Sequence, residues 1–119
     1  MNNNQSCLEV SVIENLASFL SSENLQQLLT TYLRDSQKIL ADLDTVLTAK
    51  DARETTRLVH SLKSTSANIG AIRFSEMAKA LEVLARAEKL DEVKAQLTEL
   101  NALFAQTHDC IEKLDVMQN

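Results

Sequence analysis

The chain of 119 residues contains no proline, no tryptophan and a single glycine, Gly70. Hairpins and tight turns draw heavily on these residue types, so an architecture of many short strands is excluded. One glycine also cannot supply a phosphate-cradling loop, so the chain is expected neither to bind or hydrolyse ATP nor to act as a kinase by itself. Only two cysteines occur, Cys7 and Cys110. They form no metal-ligand spacing and no disulfide framework, which makes a reduced, cytoplasmic setting the default expectation. No apolar run approaches the ~18 residues of a membrane span, and no basic segment leads into an apolar one at the start of the chain. Direct membrane insertion is therefore not expected.

Leu, Ala, Glu, Lys and Gln, all good helix formers, are abundant. The expected fold class is all-α. A first helix is read over residues 8–20, with Val12, Ile13, Leu16, Phe19 and Leu20 apolar. Ser21 or Ser22 caps a second that runs to about residue 48, its stripe formed by Leu25, Leu28, Leu29, Tyr32, Leu33, Ile39, Leu40, Leu43, Val46 and Leu47. Asp51 followed by Glu54 is a variant of the capping box and opens a third helix, which Gly70 ends because glycine enters the left-handed region without steric cost. Leu58, Leu62, Thr65 and Ile69 form its apolar stripe. A fourth spans residues 72–87 with Phe74, Met77, Leu81 and Leu84 inward. A fifth, capped by Asp91, carries Val93, Leu97, Leu100, Leu103, Phe104, Ile111 and Leu114. Short connections between long helices imply antiparallel neighbours. The expectation is an up-down four-helix bundle with the short first helix across one end, forming one domain over residues 1–119 whose first seven residues are a frayed polar lead-in.

The net charge of −5 argues against nucleic acid as a partner. The charge is also uneven. Residues 50–89 hold eight basic and five acidic side chains, and the remainder holds four basic and twelve acidic ones. An acidic protein surface or a phosphoryl group complements the basic part. The centre of that part is His60. At 100° per residue it points away from the Leu58/Leu62 stripe, and Arg53, Thr56, Lys63, Ser64 and Ala67 share its face. Imidazole is a good nucleophile near neutral pH, and small neighbours leave it open to approach. An isolated histidine on a helix is more often an ordinary surface residue, so the surrounding spacing has to carry the argument.

His60-Ser61-Leu62-Lys63, followed by the small residues Ser66, Ala67 and Asn68 and by Gly70, resembles the signature of histidine-containing phosphotransfer (HPt) domains. Ala71 and the pair Leu81-Glu82 also fit that pattern, and the resemblance is strongest from about residue 52 to 86. One position departs: after the lysine the family usually has glycine, and here Ser64 is found, which is still small. The resemblance implies a module that passes a phosphoryl group between the aspartates of receiver domains in a multistep two-component phosphorelay. His60 would be the acceptor. Any Mg²⁺ would belong to the receiver, and no cofactor is expected on this chain. A helical module of this kind is expected to work as a monomer.

Roles for other residues follow. Lys63, one turn from His60, can set its ammonium beside the phosphoryl oxygens. On the fourth helix Ser75, Lys79, Glu82 and Arg86 share a face opposite Met77 and Leu84. The resemblance implies that a polar side chain at position 82 hydrogen-bonds the active histidine, and a carboxylate there would accept from Nδ1–H and leave Nε2 as nucleophile. Arg86 is a candidate phosphate neighbour. The alternative for Glu82 and Arg86 is a surface ion pair worth about 0.2–0.5 kcal/mol. Arg53, Thr56, Arg57, Ser64 and Ala67 are the candidate docking face. His108 lies away from any cationic cluster and reads as an ordinary residue. Two isolated histidines give no metal site, Asp42 and Asp44 cannot face each other, and Ser64–Ser66 beside His60 lack the elbow of a hydrolase. A non-catalytic helical adaptor that binds an acidic partner through the same basic face is the alternative function. A general-base enzyme is disfavoured because a convex helix face offers no substrate pocket.

Overall fold

The computed structural model describes residues 7–118, and residues 1–6 of the expected lead-in at residues 1–7 lie outside them. Six α-helices follow one another: α1 Val10–Phe19, α2 Ser22–Thr48, α3 Ala52–Asn68, α4 Ile72–Arg86, α5 Leu90–Ala95 and α6 Leu97–Glu112, with a 3₁₀ turn at Asp115–Met117. The four long helices α2, α3, α4 and α6 form the antiparallel bundle. The expected fifth helix is two elements, because the backbone leaves helical hydrogen bonding at Gln96. Asp91 does not cap it. Lys89 stands at that position and makes no side-chain cap bond, while Asp91 lies inside the first turn of α5.

Local chemistry sets the other boundaries. The Ser21 side chain accepts from the Asn24 amide at 3.0 Å and starts α2. Asp51 accepts from the Glu54 amide at 3.0 Å and starts α3. The reciprocal half of the capping box is missing, because the Glu54 carboxylate is held by Arg57. Helices α2, α3 and α4 all end in the same double hydrogen bond, in which the two residues after the cap donate back to the last turn. The left-handed residue that this geometry needs is Lys50 after α2 (φ 57), Gly70 after α3 (φ 87) and Glu88 after α4 (φ 60). Glycine is required only at position 70. A Cβ there would lie 2.9 Å from the Glu9 carbonyl oxygen, and the Gly70 carbonyl itself accepts from the Glu9 amide at 2.7 Å. The segment before α1 is thereby seated on the α3–α4 turn.

One hydrophobic cluster fills the bundle, with Leu29, Leu43, Leu62, Phe74, Leu81, Leu100 and Ile111 fully enclosed. Phe74 and Phe104 meet at 5.4 Å between ring centres. Removing such a ring, as in Phe74→Ala, costs about 3–5 kcal/mol. Across α2 and α3, the Tyr32 hydroxyl and Ser66 Oγ pair at 2.7 Å inside the core. Burial raises the Tyr32 pKa, an effect its bonds to Ser66 and Ser36 only partly offset.

Several expected positions shift. Phe19, Leu28 and Thr65 are exposed. The inner stripe of α3 is Thr55, Leu58, Val59, Leu62 and Ser66. On α4 the inner residues are Phe74, Ser75, Ala78, Leu81, Glu82 and Ala85, whereas Met77 and Leu84 are half-buried. The two cysteines are corrected as well. Cys7 and Cys110 are joined in a disulfide, with Cα atoms 6.5 Å apart and a sequence separation of 103. Cys7 is buried, so the lead-in stops short of it. Up-down topology returns α6 to the end where the chain begins, a proximity that sequence separation conceals. Cysteine usage therefore no longer speaks for a reduced compartment. Among the described residues no helix is long and apolar enough to cross a membrane.

Candidate functional site

His60 stands in the middle of α3, on the side turned toward α4. The three-residue link of Ile69, Gly70 and Ala71 folds α4 back along α3. Small buried residues on the α4 side, Ser75, Ala78 and Ala85, let the helices pack closely. Ser75 Oγ donates to the Lys63 carbonyl at 2.9 Å and fixes their register. That register brings Glu82, two turns beyond Ser75, level with His60.

The resulting cluster has one buried carboxylate and three donors. His60 Nδ1 lies 2.8 Å from Glu82 Oε2. Arg86 Nη2 donates to the same oxygen at 2.7 Å, and Lys63 Nζ meets Oε1 at 2.7 Å. The Glu82 side chain is 6 % exposed, against 52 % for His60, 30 % for Lys63 and 64 % for Arg86. Burial alone would raise the Glu82 pKa. The bonds from Lys63, Arg86 and His60 outweigh it and bring the carboxyl down to about 2. Glu82 is therefore ionised at neutral pH and can only accept hydrogen bonds. This assigns the proton of the neutral imidazole to Nδ1 and leaves the Nε2 lone pair outward. Two cations on one carboxylate leave a net positive charge beside the ring, where an incoming anion is favoured.

The surface ion pair considered for Glu82 and Arg86 is therefore the outer part of a larger, mostly buried network. Glu82 lies on an inner face that packs on α3, not on an outer face opposite the core. Sequence reasoning placed Ser75 on the Glu82 face but gave it no role; its bond to the Lys63 carbonyl is set by the packing of α4 on α3. Lys63 is more enclosed than a residue on an open face, because its side chain reaches from α3 to Glu82 on α4.

The remaining candidates spread around α3. Arg53, Ser64 and Ala67 are exposed, and Thr56 is half-buried with its hydroxyl bonded to the Ala52 carbonyl at 2.8 Å. Arg57 turns away from His60. Its guanidinium clasps Glu54 at 2.8 Å and borders the groove between α2 and α3 that Asp35 and Asp42 also line. His108, on α6, is half-buried against the edge of Phe104 and lies 3.7 Å from Glu112 of its own helix. Among the described residues no group of three His, Cys, Asp or Glu side chains is arranged to hold a metal ion.

Comparison with known proteins agrees with this geometry. The profile of the Hpt domain family matches residues 27–115. The phosphorelay protein LuxU of Vibrio harveyi is 29 % identical over 106 residues, which cover 89 % of this chain and 93 % of LuxU. The crystal structure of histidine-containing phosphotransfer protein B (HptB) from Pseudomonas aeruginosa PAO1 superposes with a TM-score of 0.84 at 28 % identity, covering 90 % of this chain and 92 % of HptB. Hpt domains work with receiver domains, and a plain adaptor would have no use for an oriented imidazole in a cationic setting. The chain belongs to the Hpt domain family, and its function is histidine phosphotransfer within a phosphorelay.

Proposed function

We propose that His60 Nε2 is the phosphoryl acceptor, and that it shuttles the group between the aspartates of two receiver domains. The observation that carries this reading is the 2.8 Å contact of Nδ1 with an ionised, buried Glu82, made by a ring whose other edge is open to solvent. In the forward step the Nε2 lone pair attacks phosphorus of an aspartyl phosphate. The P–N bond forms, the P–O bond to the aspartate breaks, and the free carboxylate leaves with its electron pair. The phosphorylated ring keeps its proton on Nδ1 and carries positive charge, which Glu82 stabilises. Lys63 and Arg86 offset the charge of the phosphoryl oxygens. Transfer onward reverses these steps with a second aspartate. Positioning and electrostatics supply most of the catalysis of phosphoryl transfer, so no pocket is needed.

The docking face in this reading is the exposed part of α3 around His60, comprising Arg53, Thr56, Ser64 and Ala67. Arg57 belongs to its margin, since its charge is already met by Glu54. The small size of Ser64 and Ala67 supports close approach of a protein donor, and the positive surroundings suit an acidic receiver pocket. The chain acts as a monomeric cytoplasmic partner of those receivers, needing no metal or nucleotide of its own.

The test is to mix the protein with a phosphorylated receiver and follow the label. An acid-labile, base-stable phosphoryl group is expected on the wild type and not on His60→Gln. Ser64→Arg should block transfer from the receiver far more than labelling by phosphoramidate. Labelling of His60→Gln at the wild-type level would overturn the assignment, and equal loss with both donors would overturn the docking face.

A further inference from the structure

The Cys7–Cys110 pair plays no part in the chemistry above, yet it closes a chain of contacts between three elements. Cys110 lies on α6. Cys7 is followed by Leu8, which is buried in the core, and by Glu9, whose amide donates to the Gly70 carbonyl at the end of α3. The disulfide thus pins the segment that seats on Gly70. The two sulfurs differ in access. Cys7 is buried, whereas Cys110 is half-buried and lines a cleft of about 210 Å³ with Leu8, Val10, Ile13, Asp109 and Lys113. Cys7 has another partner available when the bond is open, because its sulfur lies 3.3 Å from the Gln106 carbonyl oxygen, where a thiol could donate. The closed and open forms can both satisfy the buried sulfur.

We propose that this pair is a reversible redox site, opened by small thiols that enter the cleft and attack Cys110, and that it controls the seating of residues 7–9 on Gly70 without altering the His60 cluster. A thiolate of the glutathione class forms a bond to Cys110 Sγ. The Cys7–Cys110 bond breaks, and Cys7 leaves with the electron pair and takes up a proton. A second thiolate attacks the small-molecule sulfur of the mixed disulfide, releasing the oxidised small molecule and a Cys110 thiolate that protonates. Closure runs these steps backward, with oxidised glutathione as the electron acceptor. His60 is ten residues from Gly70, or about 15 Å along α3. The ion pairs of Glu82, Lys63 and Arg86 run among themselves and to His60.

The experiment equilibrates the full chain against reduced and oxidised glutathione in varied ratio, alkylates free thiols and maps the products by mass spectrometry. The expected result is a linkage between residues 7 and 110 within one chain that opens and closes reversibly, with the trapped mixed disulfide on Cys110 in about tenfold excess over Cys7. On reduction, amide exchange at Glu9 should speed by about tenfold or more, while amides of residues 60–63 change by less than about twofold. Cys110→Ser in oxidising buffer should exchange like the reduced wild type. If that variant does not fold, the wild-type mapping and exchange decide alone. Two free thiols under oxidised glutathione, a linkage only between copies, a mixed disulfide mainly on Cys7, or unchanged exchange at Glu9 would each overturn the proposal.

Discussion

The chain has two histidines, and each has a carboxylate near Nδ1. At His60 the carboxylate comes from another helix, is buried, and is shared with Lys63 and Arg86 at 2.7 Å. At His108 it comes from the next turn of the same helix, is largely exposed, and lies 3.7 Å away, with no Lys or Arg paired to it among the described residues. A buried acceptor held by two cations cannot swing away, so it fixes the tautomer and orientation of the ring. A surface glutamate one turn on is free to choose water. The difference shows that a helix-borne imidazole gains a chemical role from the neighbouring helix more than from its own.

The sharpest break of the comparison is to remove each ring. His60→Gln should abolish phosphoryl acceptance with helicity and melting temperature near wild type, because the ring is half-exposed and lies outside the hydrophobic cluster. His108→Gln should leave transfer unchanged. Loss of labelling in His108→Gln alone would reverse the roles of the two regions.

Glu82→Gln keeps the shape but removes the charge that holds Nδ1–H, Lys63 and Arg86. Transfer should fall about 10–100-fold, the range seen when an orienting partner of a functional histidine is lost. Stability should fall by about 1–3 kcal/mol in denaturant unfolding, since two cations lose a partly buried partner. Wild-type stability combined with wild-type rate would reduce Glu82 to the standing of Glu112.

The same carboxylate predicts a pH dependence. Its folded-state pKa is about 2, below the ordinary 4.5, so its contribution is full above about pH 4.5 and is lost as pH falls toward 2. Allowing for solvent that reaches the His60 and Arg86 side, about 1–2 kcal/mol should disappear across that window. Acid titration of unfolding should show this slope in the wild type and in His108→Gln, and should lack it in Glu82→Gln.

Smaller effects separate the two cations. Lys63→Ala should slow transfer by about tenfold and cost about 1 kcal/mol, because its ammonium is tied to a buried carboxylate. Arg86→Ala, at a more exposed position, should cost about 0.5 kcal/mol and affect rate less. Rates and midpoints of unfolding measured side by side would show whether the order is reversed.

How far this could be read from the amino acids varies by element. The all-α class, the caps at Ser21 and Asp51, the stop at Gly70 and the outward pose of His60 are local matters, set by composition, periodicity and single-residue backbone preference. They were legible. The packing faces of α4 were not, because Phe74/Leu81 and Met77/Leu84 both repeat at helical spacing and only the position of α3 decides which pair lies deeper. Glu82 reads as a surface residue by type, and it is buried because Lys63, Arg86 and His60 meet its charge from two helices. The break at Gln96 has no glycine or proline to announce it.

By itself, the order of residues determined that this chain would be helical, where most helices begin and end, and that an imidazole with a cation one turn away would face outward. These follow from interactions within a few residues. Only the tertiary structure decided that Glu82 ends against His60 and that Cys7 meets Cys110. The partners are separated by 22 and 103 residues. Their meeting depends on the register of α3 against α4 and on the return of α6 to the start of the bundle, which packing of the whole core sets at once.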